Sequence, residues 1–132
     1  MAKKYTHTEA FAHFGTKPRN VQWSWSARSE DGKTVVVTLW QDEFARKDGR
    51  LVYERTGLPE NVRRRPGYSE LMENFEWAQT HCGGRFKVIS AKAKDPNADP
   101  RSIEECFPTK MTMKLSHFDP ATGAFLAEAE EP

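Results

Sequence analysis

The stretch QWSWSARSEDGKTVVVTLW, residues 22–40, has the pattern of two β-strands joined by a turn. Aromatic and β-branched residues are concentrated in 21–29 and 33–40. The SEDGK segment between them contains the Asp-Gly pair typical of hairpin turns. We therefore predict a β-hairpin here. Because three of the chain's four tryptophans lie in it, its register decides whether they form core or line a pocket.

One register follows from a two-residue type I′ loop, which pairs Glu30 with Lys33. In this register Trp23 and Trp25 lie on the same face as Trp40, away from Val35, Val37 and Leu39 of the second strand. Indole rings on one accessible face would form a platform for a flat ligand. Stacking of a nucleobase on such a ring contributes roughly 1–3 kcal/mol.

The other register follows from a three-residue loop with a bulge, which pairs Ser29 with Lys33. A slip of one residue moves every side chain of a strand to the opposite face. Trp23 and Trp25 would then join the aliphatic face and become core, and Trp40 would lie on the other side. Large aromatic residues are mostly buried. The sequence leaves both registers open.

Local signals define two main helices elsewhere in the chain. Thr6 and Glu9 have capping-box spacing at the start of a helix over 5–15. Ser69 is the predicted cap of a second helix over 69–84. Its buried face is a stripe at i, i+4, i+7 and i+11, formed by Leu71, Phe75, Ala78 and Cys82.

The remaining signals complete the predicted fold. We expect strands at 51–55, 85–93, 110–118 and 124–130, a long surface loop at 57–68, and a helical turn between Asp99 and Pro108. The predicted class is α+β, with residues 1–132 as a single domain. Its sheet is a curved, mostly antiparallel sheet or a partial barrel, with two main helices and one short helix. The element order is α-β-β-(β)-α-β-short α-β-β.

Length, charge and cysteine content limit the classes of protein. The net charge of +1 combines +4 in residues 1–70 (13 basic, 9 acidic) with −3 in residues 71–132 (7 basic, 10 acidic). This balance differs from that of a dedicated, strongly basic nucleic-acid binder. Two cysteines are too few for a disulfide scaffold. The sequence shows neither a signal segment nor a membrane span, so we expect a cytoplasmic protein without membrane contact.

Two groups of residues are candidate nucleic-acid contacts. The segment NVRRRPGY contains three adjacent guanidinium groups, whose mutual repulsion a phosphate backbone would relieve. Two further basic residues precede the tryptophan strand and would extend this patch. The predicted phosphate contacts are Lys17, Arg19, Arg63, Arg64 and Arg65. The predicted base-stacking residues are Trp23, Trp25, Trp40 and Tyr68.

Signals for metal binding and catalysis are weak. The metal-ligand residue types His81, Cys82, Cys106 and His117 lack the close spacing of zinc sites. A group of acids follows the tryptophan hairpin, but its spacing to lysine differs from that of a nuclease core: Asp42, Glu43, Asp48 and Glu54. We predict no metal, no cofactor and no catalytic residue.

These patterns favour a small non-catalytic nucleic-acid-binding domain. The domain would recognise a modified, flipped or unpaired base, with DNA favoured over RNA. These patterns are also compatible with a homo-oligomer. An alternative from another class is a protein-interaction or accessory domain, in which exposed aromatic and arginine residues bind a protein. A second alternative is a small enzyme acting on a flat or anionic metabolite.

Overall fold

The structure, a computed structural model, describes residues 6–18, 24–57, 60, 64, 66–95, 97 and 103–130. Within these residues two helices and seven strands form an α+β fold. In chain order they are α1 (His7–His13), β1 (Ser26–Arg28), β2 (Val35–Trp40), β3 (Phe44–Lys47), β4 (Arg50–Arg55), α2 (Pro66–His81), β5 (Arg85–Ala93), β6 (Ile103–Asp119) and β7 (Ala124–Ala129). Neither helix is long and apolar enough to cross a membrane, a finding limited to the described ranges.

All seven strands belong to one sheet, in the order β1-β2-β5-β6-β7-β4-β3. Neighbouring strands are antiparallel except β2 and β5, which are parallel. A parallel pair needs a long crossover, and here the crossover contains β3, β4 and α2. β1 and β3 lie at opposite ends of the order, so the described sheet is not a closed barrel. The predicted α+β fold with a mostly antiparallel sheet is confirmed at this level.

The first hairpin has the register that a Glu30–Lys33 pair predicts. Ser26 pairs with Val37, and the pairing continues without a shift to the end of β1. The alternative register, which would have placed the hairpin tryptophans on the aliphatic face of β2, is therefore wrong.

The turn of this hairpin nevertheless differs from the predicted type I′ loop. Ser29 N–H donates to Thr34 O at 2.9 Å, and Gly32 N–H donates to Ser29 O at 3.0 Å, so the loop contains four residues. A type I′ turn needs positive φ at both central residues. Gly32 has a φ of 71°, but Asp31 does not have a positive φ. The Asp31 side chain instead accepts the Lys33 N–H at 2.9 Å.

A second Asp-Gly pair forms a type I′ hairpin that was not predicted. Asp48 and Gly49 have φ values of 51° and 78°, and Lys47 pairs with Arg50 across this two-residue turn. The strand before it, β3, was not predicted. Its residues beyond Phe44 are exposed on both faces, so the strand lacks the apolar alternation that marks a half-buried strand.

The two faces of the sheet carry separate cores. Alternate residues of β2 point to opposite faces, and every residue of β2 is buried. One core lies under α2 and includes Val35, Val37, Leu39, Tyr53, Met72, Phe75, Ala78, Phe86, Val88 and Met113. The other lies under α1 and includes Ala10, Phe11, Ala27, Val36, Trp40, Ile89, Ala91 and Cys106.

Local residue preferences agree with where both helices begin. The predicted capping box of α1 is confirmed, because Thr6 and Glu9 exchange side-chain to backbone hydrogen bonds of 3.1 Å in both directions. The start predicted for the second helix is wrong, because α2 begins at Pro66 and includes Ser69. Proline suits the first helical position, where the missing N–H would have no partner within the helix. Glu70 therefore lies in the second turn.

Two further local predictions differ from the structure. A helical turn was predicted between Asp99 and Pro108, but 103–107 belong to β6 and pair with β5, so this part of the prediction is wrong. Asp99 lies outside the described residues. Pro108 fits within β6 at a shift in the β5–β6 register, where proline is tolerated. The predicted loop at 57–68 ends earlier than expected. Arg64 N–H donates to Glu60 O at 3.1 Å, as in a helical turn, and 66–68 belong to α2.

Candidate functional site

The described hairpin tryptophans share a face, as their register requires, but α1 covers that face. The ring centroids of Trp25 and Trp40 lie 5.3 Å apart, with an interplanar angle of 56°. Trp40 is only 8% exposed and Trp25 is half-buried, and both pack in the cluster that contains Phe11. Trp23 lies outside the described residues. The structure therefore places Trp40 in a core and does not present its ring to solvent.

His7 helps to hold α1 on the tryptophan face. Its ring stacks on Phe11 with centroids 4.7 Å apart, and its Nε2 lies 2.7 Å from Thr38 Oγ1. Burial lowers the pKa of His7 to about 4, because charging the imidazole would require desolvating a cation. A neutral imidazole is consequently part of the packing between α1 and β2 near neutral pH.

Tyr68 lies on the other face of the sheet from Trp25 and Trp40. Its ring packs against the core under α2, and its hydroxyl donates to the carbonyl oxygen of Pro120 in the β6–β7 turn. The structure therefore does not bring these predicted stacking residues together on one surface. The physical reason is the alternation of β2, which sends Val35 and Val37 toward α2 and Trp40 toward α1.

Lys17 is the predicted phosphate contact that the structure places at a cavity. Arg64 is exposed and pairs with Glu60 through a 2.6 Å contact on the segment before α2. The other three predicted phosphate contacts, Arg19, Arg63 and Arg65, lie outside the described residues.

Two adjoining cavities lie along the edge strand β1. The first has a volume of about 330 Å³ and is lined by Lys17, Ala27, Arg28, Ser29, Glu70 and Asn74. The second has a volume of about 510 Å³ and is lined by Gly15, Thr16, Lys17, Arg28, Ser29, Glu30 and Asp31. Both volumes fall within the roughly 300–1,000 Å³ typical of small-ligand sites.

The first cavity contains buried hydrogen-bonding side chains beside two cations. Glu70 and Asn74, one turn apart on α2, are each only 3% exposed. Lys17 and Arg28 line both cavities. Buried polar groups are costly to keep unless they form hydrogen bonds, and they are common where a pocket orients a ligand. This cavity, hereafter the β1–α2 cavity, is the candidate site.

Contacts from α2 fix the position of Arg28. Its guanidinium carbon lies 4.2 Å from the centroid of the Trp77 ring, and its Nε donates to Asn74 Oδ1 at 3.3 Å. Asn74 Nδ2 in turn donates to Ser26 Oγ at 2.8 Å. Trp77 Nε1 donates to the Gly32 carbonyl oxygen at 2.8 Å. The arginine is thus held by two residues that are themselves held by the hairpin.

Four residues of this site were not among the predicted contacts: Arg28, Glu70, Asn74 and Trp77. A signal for three of them was present in the sequence. Glu70, Asn74 and Trp77 follow i, i+4, i+7 spacing and form a second stripe beside the apolar stripe of α2. For Arg28 the strand pattern alone gave no signal, because its role depends on α2 packing against β1.

Two of the acids considered for catalysis, Glu43 and Glu54, form hydrogen bonds or ion pairs with neighbouring side chains. Glu43 accepts hydrogen bonds from Tyr53 Oη at 2.5 Å and from Arg55 at 2.8 Å. Burial, with a smaller contribution from Glu43, raises the pKa of Tyr53 to about 12. Glu54 pairs with Lys47 at 3.1 Å. These contacts all lie within residues 43–55, where they link the two sides of the β3–β4 hairpin.

The candidate metal ligands do not converge. Cys82 packs against the core under α2, whereas Cys106 belongs to the core under α1, on the opposite face of the sheet. Across the described ranges, no group of three histidine, cysteine or acidic residues has the arrangement of a metal site.

A comparison of this chain with protein families, curated proteins and solved structures gives no match.

Proposed function

We propose that this chain is a small non-catalytic nucleic-acid-binding domain, which accommodates an unpaired or flipped base at the β1–α2 cavity. The observation that carries the proposal is the combination, in one cavity, of buried hydrogen-bonding side chains with two cations. A nucleotide has the matching chemistry, because its base carries hydrogen-bonding edges and its phosphate carries negative charge.

The base would be recognised by hydrogen bonds rather than by a stack of hairpin tryptophans. The Glu70 carboxylate accepts hydrogen bonds, and the Asn74 amide can both donate and accept. Such groups suit the Watson–Crick edge of a base that has left its stack. The tryptophan face is unsuited to this contact, because Trp40 is buried in the core under α1.

Lys17 would contact the phosphate backbone, since it lines both cavities. The basic segment at 63–65 would extend this contact, because it directly precedes the helix that carries Glu70. DNA stays the favoured partner over RNA, and a cytoplasmic location is part of the proposal.

A curved sheet is also part of the proposal. The β5–β6 and β6–β7 pairs contain register shifts, and irregularities of this kind bend strands.

Titration with oligonucleotides tests this proposal. Short single-stranded DNA, its RNA equivalent and a duplex would be added while tryptophan fluorescence is followed, at about 50 and 200 mM salt. We expect single-stranded probes to quench the fluorescence of Trp77, which contacts Arg28 at the cavity, and the affinity to fall with salt. Lys17→Ala should reduce the salt slope by about one phosphate contact.

Lys110→Ala is the matched control, because Lys110 is exposed on β6, away from β1 in the sheet order. This variant should bind as the wild type does. Absence of salt-dependent binding to every probe would contradict the proposal.

The alternative of a protein-interaction domain is favoured by Phe107, a large apolar side chain that is 40% exposed on β6. A stable homo-oligomer in size-exclusion chromatography that buries Phe107 would support that alternative.

A further inference from the structure

Contacts with Trp77 and Asn74 of α2 hold the Arg28 side chain in place. A guanidinium group that stacks on an indole ring and donates through Nε keeps its plane and direction. Its two terminal nitrogens form the end of the group, which is the edge that binds a phosphate or carboxylate through two parallel hydrogen bonds. The loss of side-chain freedom that normally opposes such binding has already occurred on folding.

Arg28 also lines both of the cavities described above. Arg28 and Lys17 line each of the two cavities, so these cations mark the place where the cavities adjoin. The acids around them are distributed to either side. Glu70 lines the first cavity, whereas Glu30 and Asp31 line the second. Asp31 is engaged by Ser29 Oγ at 2.6 Å and by the Lys33 N–H at 2.9 Å.

From this arrangement we propose that Arg28 and Lys17 form a phosphate subsite at the junction of the two cavities, with Trp77 and Asn74 as positioning residues. The carboxylates of Glu70 and Glu30, which line the two cavities, would repel a free polyanion. They favour a phosphate that is joined to a group with N–H donors, because such donors can bind a carboxylate. A nucleotide unit satisfies both conditions, with its phosphate at Arg28 and its base near Glu70. This inference rests on the proposed function and adds the residue that fixes the phosphate.

The experiment compares two single-stranded DNA dinucleotides that differ only in a 5′-phosphate. Their affinities would be measured for the wild type and for Arg28→Lys, which keeps the charge but loses the planar fork and the indole stack. Arg46→Lys is the matched control, because Arg46 is exposed on β3 at the other end of the sheet. We expect Arg28→Lys to lower affinity about tenfold with an unchanged salt slope, and Arg46→Lys to have no effect.

The two probes distinguish the sources of the phosphate. A loss confined to the 5′-phosphorylated probe assigns the subsite to a terminal phosphate, and an equal loss with both assigns it to the internal phosphodiester. Either result supports the subsite. Unchanged affinity of Arg28→Lys for both probes would overturn it while leaving the proposed function intact.

A measurement on the wild type does not depend on how the variants fold. Phenylglyoxal modifies accessible guanidinium groups, and mass spectrometry can follow Arg28 and Arg46 separately. The 5′-phosphorylated dinucleotide should slow the modification of Arg28 several-fold and leave that of Arg46 unchanged. Equal rates at Arg28 with and without the probe would overturn the subsite. Protection by inorganic phosphate together with no binding of any oligonucleotide would support the subsite and refute the proposed function.

Discussion

Replacing Asn74 by alanine should destabilise the fold by removing the link between α2 and the first hairpin. Asn74 donates to the fully buried Ser26 hydroxyl at 2.8 Å and accepts from Arg28 Nε at 3.3 Å. Depriving a buried hydroxyl of its partner costs about 1–3 kcal/mol. The longer, partly buried bond to Arg28 adds roughly 1 kcal/mol. We therefore expect the free energy of unfolding to fall by about 2–4 kcal/mol.

Urea unfolding followed by tryptophan fluorescence measures this change. Gln79→Ala is the matched control, because it also removes an amide from α2 but from an exposed position. Its effect should stay within about 0.5 kcal/mol. An equal loss in the Asn74 and Gln79 variants would refute the reasoning.

A double-mutant cycle separates the hydrogen bond from general packing. The double variant Ser26→Ala/Asn74→Ala lacks both partners of this hydrogen bond, so it does not leave the Ser26 hydroxyl buried without the Asn74 amide. The double variant should be more stable than the sum of the single losses predicts, by about 1 kcal/mol. Strictly additive losses would show that Asn74 and Ser26 contribute independently and would contradict the role assigned to their hydrogen bond.

Three further changes test other contacts. Gly32→Ala should cost about 1–3 kcal/mol more than Gly49→Ala in thermal unfolding. Both positions have positive φ, but a Cβ at Gly32 would lie 2.8 Å from the Trp77 ring, whereas one at Gly49 meets nothing within 4 Å; equal losses would contradict this. For His7 the folded-state pKa of about 4 is below the ordinary 6.5, so its stabilisation is complete above about pH 6.5 and is lost as the pH falls toward 4. Between about pH 7 and pH 4.5, the free energy of unfolding measured in urea should fall by roughly 2 kcal/mol more for the wild type than for His7→Phe. Identical pH profiles of the two proteins would refute this. Tyr53→Phe removes the hydroxyl bonded to Glu43 and should cost about 1–2 kcal/mol in urea unfolding. Because burial raises the pKa of Tyr53 to about 12, ultraviolet titration of the wild type should show a late-ionising tyrosine that the variant lacks.

Local chemistry made parts of the fold predictable from the sequence. The α1 capping box, the β5 segment and the final hairpin depend on neighbouring residues, and they appear at the predicted places. The predicted turn before Pro108 failed for a non-local reason. Residues 103–107 pair with β5, and this strand pairing outweighs the local preference for a helical turn.

The candidate site was less predictable than the fold. Lys17 was predicted as a ligand contact and lines the β1–α2 cavity. Arg28, Glu70 and Asn74 were not predicted, because they meet only when α2 packs against the edge strand. Helical spacing groups the two α2 residues, but it cannot indicate which strand they face.

The sequence by itself determined the elements of the first hairpin, but not its register. Every residue of β2 is buried, since α2 covers one face of the sheet and α1 covers the other. A strand buried on both faces has no polar side, so its hydrophobic pattern does not show which way each residue points. The tertiary structure decided that Trp25 and Trp40 lie under α1 and that Arg28 faces α2. The residues 22–40 therefore contribute a core on one face of the sheet and the candidate binding site on the other.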